Sequence, residues 1–415
     1  MMTLKVFHNA RIYTPQGGSS PLKGAQQGNV LEIPQGAIIS RGGVIERVGP
    51  EEELLAEAKN MRVDQYVDLG GRCVIPGLVD PHTHMCFAAR REEEFAKRLD
   101  GVPYLEILRS GGGILSSVRS VRSASDQDLY QTTMANVASA MRHGTTTVEI
   151  KSGYGLDASS ELRMLSVIDR VRRDAPLDVM ATFMGAHAIP EEFRGQPEGF
   201  VDLLCHEMIP QAAEQGIARF CDVFCEEGVF SVEQSRRILA CARSNGFELK
   251  IHADEVHDLG GAGLAAELGT LSAEHLLAAS DEGLAKMAEA GVIAVLLPAT
   301  AYSLKKPYAR ARKMIELGVP VALATDCNPG SCFCESMQFV FGLAVMKMGL
   351  SVSEALVGCT LNAAHAIGMG HLVGSLEEGK LADLVVLDGK TPATLAYHAG
   401  VNSAVAVYKR GERVA

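Results

Sequence analysis

Between residues 73 and 326 the chain repeats one pattern eight times: a short apolar run, then a longer amphipathic stretch. The apolar runs fall at 73–84, 145–151, 178–187, 219–226, 248–253, 270–276, 292–298 and 319–326. Segments such as SSELRMLSVIDRVRRDA, SVEQSRRILACARSNG and SDEGLAKMAEAG separate them and carry a helical period. Strands that are apolar on both faces belong to a parallel sheet covered by its crossover helices. An open doubly wound sheet and a closed (β/α)8 barrel both satisfy that requirement, and a count of eight favours the barrel.

The two ends of the chain read differently. LKVFHNARIYT, GAIISRGGVIERVG and YVDLGGRCVIPG near the start, and LADLVVLDG and AVAVYKRGERV near the end, are short alternating runs broken by glycine, proline and glutamine. The expected organisation is an α/β barrel over 73–373 and one small β-domain combining 1–72 with 374–415. GVIERVG and VYKRGERV are compatible strands for pairing across it.

Composition removes several classes of function. A net charge of −11 argues against nucleic acid and anionic membrane as main partners, and no apolar segment has the length of a membrane span. The opening MMTLKVFHNARIYT alternates like a strand and lacks the apolar core of a signal peptide, so a cytoplasmic location is expected. The ten cysteines include no C-x-x-C pair and read as free thiols. GYGLDA and SGGGI resemble phosphate-binding glycine loops. GYGLDA, however, falls inside the second barrel repeat and does not open a dinucleotide-binding unit.

Functional residues of such a barrel lie at the C-terminal ends of its strands. The first ends in His82 and His84 and the second in KSGYG. The third ends in GAHAIP with His187, the fifth in IHADE with His252 and Glu255, the sixth in SAEH with His275, and the eighth in LATDCNPGS with Asp326. Residues i and i+2 of a strand share a face, so His82 and His84 project together. Three imidazoles (His82, His84, His252) and the Asp326 carboxylate suit one borderline metal, zinc or iron, with a position left for water. The fourth strand has no lysine near its end that might bridge two metals, which favours a single ion.

VDPHTH, a fifth-strand histidine, a sixth-strand histidine and an eighth-strand aspartate resemble the amidohydrolase superfamily. RSGGGI, KSGYGL, MGAHAIP, FCEEGVFS, HADE and ATDCNPGS together resemble its imidazolonepropionase family over nearly the whole chain. The departures are small: Ser331 stands where many relatives have threonine, and Ala88-Ala89 where glycine is common.

The resemblance implies a distorted (β/α)8 TIM barrel with a small β-sandwich built from both chain ends. It implies hydrolytic ring opening of 4-imidazolone-5-propanoate to N-formimidoyl-L-glutamate, in histidine breakdown. Asp326 would take a proton from the attacking water, His275 would orient or deprotonate it, and Glu255 would help protonate the leaving nitrogen. Arg91 matches the position that binds the propionate, although spacing alone would leave it in the solvated run RREEEFAKR. Tyr154, Tyr104, His187, Asn328, Gly330 and Ser331 complete the expected substrate contacts. The partners expected are this small molecule, one divalent or trivalent metal and a second copy in a homodimer. A nucleobase or cyclic amidine deaminase is the rival reading, since it shares His-x-x-Glu on the fifth strand.

Overall fold

Four strands open the chain: β1 (Leu4–Pro15), β2 (Val30–Arg41), β3 (Val44–Pro50) and β4 (Gln65–Pro76). The last runs across Gly77 into the short β5 (Leu78–Asp80). The stretch 73–84, expected as one strand, is therefore divided. Its first part belongs to the small sheet and its second part begins the barrel. Gly77 marks the division because a side chain there has no room: a Cβ would lie 2.1 Å from Thr146 Oγ1. The computed structural model describes residues 2–102, 106 and 111–415. The candidate Tyr104 lies outside the described residues.

The barrel strands follow in chain order: β6 (Thr145–Lys151), β7 (Asp178–Ala186), β8 (Phe220–Cys225), β9 (Glu248–Ala253), β10 (Ser272–His275), β11 (Ile293–Leu296) and β12 (Val321–Leu323). Each pairs in parallel with its sequence neighbour, giving an eight-stranded sheet in the order β5 to β12. Val79, Phe220, Ile293, Val295 and Ala322 form one apolar cluster. Side chains from such separated strands can meet only inside a closed ring. The ring closes just beyond the strand ends, through a bridge between Thr83 and Cys327.

The helices between strands form for local reasons. Ser231 caps the helix Val232–Ser244 in a capping box with Gln234, and Ser235, Ile238, Leu239 and Ala242 form its buried face. Such a cap contributes about 1 kcal/mol, and the apolar stripe supplies the tertiary contact. Among the described residues no helix is long and apolar enough to cross a membrane. All ten cysteines are free.

The chain ends build the second sheet. Adding β13 (Leu384–Leu387), β14 (Ala404–Lys409) and β15 (Glu412–Arg413), its order is β15-β14-β13-β4-β1-β2-β3. The two ends join where β4 meets β13, with Val385 opposite Ile75. The pairing expected between GVIERVG and VYKRGERV is not made, because β3 and β14 lie on opposite sides of this seam. The strands cover a core containing Phe7, Ile38, Ile45, Val74, Leu384 and Tyr408, with the Phe7 and Tyr408 rings edge to face at 5.2 Å, and Leu4, Val6, Ala37 and Ile39 join a second cluster. Lys409 fastens this unit to the barrel by pairing with both Asp178 of β7 and Asp383, at 2.6 Å each.

Candidate metal centre and active site

His82 and His84 lie just past the end of β5 and are held there by the backbone of the eighth unit. The Asp326 N–H donates to the His82 carbonyl at 3.1 Å, and the His84 N–H donates to the Cys327 carbonyl at 2.9 Å. Asp326 and His275 both sit in the left-handed backbone region, with φ of 54° and 70°. Residues other than glycine adopt it at a cost, and such positions concentrate at functional sites. The result is convergence. Asp326 Oδ1 lies 3.5 Å from His82 Nε2 and 3.6 Å from His84 Nε2. His252 Nε2 lies 3.3 Å from His84 Nε2.

These groups fit a metal ion. His82, His84 and Asp326 place one ligating atom each within 4.8 Å of one another, and so do His82, His252 and His275. All are buried. Among the described residues neither ring nitrogen of His82 has a hydrogen-bond partner, nor does Nδ1 of His84. Buried polar atoms without partners are costly, and a cation among them would relieve that cost. Burial pushes the imidazolium forms of His82 and His84 well below their usual range, and that of His252 down to about 3. Neutral imidazoles with a free lone pair are the form that binds a metal.

Around this centre stand the other expected residues. His275 Nε2 lies 3.6 Å from Glu255 Oε2. Burial, with Glu226 nearby, raises the Glu255 carboxyl to about 7. Burial likewise raises Asp326 to about 6, and its Oδ2 accepts a 2.6 Å hydrogen bond from Thr300. His187 stacks on His84 with centroids 4.7 Å apart, and its Nδ1 contacts the Gly153 carbonyl at 2.9 Å. Tyr154 packs against His187 at 5.3 Å, and burial raises its phenol so that it stays a proton donor.

Arg91 does not share the solvated position of its neighbours Glu92 and Glu93, which are exposed. Its Nε and Nη2 donate to the Glu94 carboxylate at 3.0 and 2.7 Å. Its Nη1 lies against Gly330, where a Cβ would come within 2.1 Å of it. Asn328 is committed to its own loop. Its Nδ2 donates to the Asp326 carbonyl at 2.8 Å, and its Oδ1 accepts from the amides of Gly330, Ser331 and Cys332 at 2.9, 2.8 and 3.2 Å. Ser331 Oγ also contacts Asn328, with Nδ2 at 2.8 Å.

The two glycine clusters have an internal explanation. The amides of Gly153, Gly155 and Leu156 donate to the buried Glu161 carboxylate at 2.9, 2.7 and 2.8 Å. The Gly113 amide contacts both oxygens of Glu94 at 3.2 Å. The first loop therefore cradles a carboxylate of the chain itself, and Gly113 of the second turns its amide to another.

Sequence reasoning missed the charges beneath the histidines. Asp222 on β8 contacts His252 Nδ1 at 3.1 Å, and Lys151 on β6 lies 2.8 Å from Asp222 and 2.7 Å from Glu149. The available signal was two acids and a lysine inside buried strands, in TTTVEIK and FCDVFC.

The model of the amidohydrolase family matches residues 73–414. The imidazolonepropionase of Syntrophobacter fumaroxidans is 62% identical over 99% of this chain and 96% of its own length. That of Desulfotalea psychrophila is 59% identical over the full length of both. Among solved structures, an adenosine deaminase from Xanthomonas campestris with bound zinc superposes with a TM-score of 0.71 at 19% identity, covering 99% of this chain and 92% of its own. That likeness concerns the fold.

Proposed function

This chain belongs to the amidohydrolase family, and we propose that it has imidazolonepropionase activity, the hydrolytic opening of 4-imidazolone-5-propanoate to N-formimidoyl-L-glutamate in histidine degradation. The observation that carries this reading is the convergence of His82, His84, His252 and Asp326 at a rim whose eighth-unit loop also holds Arg91, through Pro329 and Gly330. One side presents donors for a metal and the other a cation for a carboxylate. The four residues would hold one zinc or iron ion per chain, in a homodimeric cytoplasmic enzyme.

A bound metal supplies Lewis acidity, which polarises a carbonyl and makes water acidic enough to attack at neutral pH. The chain's own groups do the rest. Arg91 pairs with the propionate, and Tyr154 adds a hydrogen bond to the substrate. His187, stacked on His84, faces the ring. Gly330 leaves room for Arg91, while Asn328 and Ser331 shape the loop on which both rest. The water oxygen bonds to the ring carbonyl carbon, and its proton passes to Asp326 with His275 orienting the water. The bond from that carbon to the ring nitrogen breaks, and the nitrogen takes a proton from Glu255.

The test is incubation with freshly prepared 4-imidazolone-5-propanoate and mass analysis of the product. The expected product is heavier by one water, with no ammonia released. Ammonia formed in step with substrate loss would overturn the reading in favour of a deaminase. Elemental analysis and light scattering test the single metal and the dimer.

A further inference from the structure

Two acidic side chains and one lysine lie directly beneath the histidines, on strands that contribute none of the four ligands. Lys151 Nζ sits between Glu149 Oε1 at 2.7 Å and Asp222 Oδ2 at 2.8 Å, and all three side chains are fully buried. Each acid then reaches a ligand-bearing segment. Asp222 Oδ1 contacts His252 Nδ1 at 3.1 Å. Glu149 Oε2 accepts from the Thr83 N–H at 3.3 Å, its carbonyl accepts from Thr83 Oγ1 at 2.7 Å, and Thr182 Oγ1 donates to its Oε1. Thr83 is the residue between His82 and His84. The Lys151 N–H closes the arrangement by donating to the Thr83 carbonyl at 2.9 Å.

Burying three charges at the centre of a barrel is expensive, and apolar residues of similar volume would pack there at lower cost. What the charges provide is direction. A carboxylate on Nδ1 keeps the proton on that nitrogen and leaves the Nε2 lone pair free, and His252 Nε2 is the atom that faces His84. We propose that Glu149, Lys151 and Asp222 form a positioning chain for the metal centre. In it Asp222 sets the tautomer and orientation of His252. Glu149 fixes the peptide between His82 and His84, and Lys151 holds the two acids in place by pairing with both. This inference rests on the reading that His82, His84, His252 and Asp326 hold a metal.

The test is the zinc dissociation constant of the full-length chain, stripped of metal and titrated with zinc against a chromophoric chelator. Asp222→Asn removes the charge and keeps the shape. The expected result is roughly 10–100-fold weaker zinc binding, the usual effect of removing an outer partner of a ligating histidine. Glu149→Gln should also weaken binding, and Asp222→Glu should recover part of the loss. Asp383→Asn is the control, since it breaks the buried pair with Lys409 without touching a ligand. It should lower the melting temperature of the metal-free chain and leave zinc affinity unchanged. Zinc affinity of Asp222→Asn equal to wild type would overturn the proposal. So would equal losses in Asp222→Asn and Asp383→Asn, which would reduce the chain to general stability. A wild-type chain that binds no zinc or iron would instead overturn the reading of the metal centre itself.

Discussion

Asp326 and His82 are joined twice: the backbone N–H of Asp326 donates to the His82 carbonyl at 3.1 Å, and their side chains approach to 3.5 Å. The first contact helps close the barrel between its first and eighth units. The second helps build the candidate metal centre. Closure and site are thus made by the same residues, so a change at Asp326 acts on both.

Asp326→Asn tests that coupling. It keeps the backbone contact and the volume but removes a negative ligand. Metal content should fall from one per chain, turnover should drop by orders of magnitude, and the far-UV circular dichroism should stay unchanged. Two metals per active wild-type chain would contradict the single centre.

His275 stands close enough to His82 and His252 to be a ligand, yet its proposed work is on the water. His275→Ala should therefore keep its metal and lose most of its turnover. Loss of metal in parallel with activity would make His275 a ligand.

Arg91 is proposed to bind the propionate. Removing a hydrogen bond to a charged group costs ~1.5–3 kcal/mol, a loss of roughly tenfold or more in kcat/KM. Arg91→Ala should show that loss with the natural substrate and almost none with an analogue lacking the carboxylate. Arg91→Lys should fall between, since an ammonium keeps the charge without the planar fork. Gly330→Ala should raise KM as well, because its Cβ would meet Arg91 Nη1 at 2.1 Å. Equal losses with both substrates would remove Arg91 from carboxylate binding.

Glu255 predicts the pH dependence. Burial and Glu226 raise its carboxyl to about 7. The group is protonated below that value and loses its proton as pH rises through it. A proton donor to the leaving nitrogen then gives a kcat/KM that falls on the alkaline side of about 7. Glu255→Gln should be slow and lack that limb. A limb unchanged in Glu255→Gln would belong to another group.

Sequence alone determined the eight repeated units, because their apolar period is local and each strand is buried on both faces. It also determined that His82 and His84 project together, since a spacing of two is enough. The helix Val232–Ser244 was equally legible: Ser231 and Gln234 cap each other within one turn. Tertiary structure alone decided where the run 73–84 divides, because the constraint on Gly77 comes from Thr146 on another strand. It decided that β4 pairs with β13, uniting the chain ends at a seam no local pattern marks. It moved Arg91 out of a solvated charge run and against Gly330, and it turned the Gly153, Gly155 and Leu156 amides onto Glu161 and the Gly113 amide onto Glu94. Above all it decided that Glu149, Lys151 and Asp222 meet. Glu149 and Lys151 stand two residues apart on β6, Asp222 is the one charge among the apolar residues of β8, and only the tertiary fold brings Asp222 to 2.8 Å from Lys151. Period and capping act over a few residues and are written along the chain, whereas the partner of a buried charge is chosen by strands far apart in it.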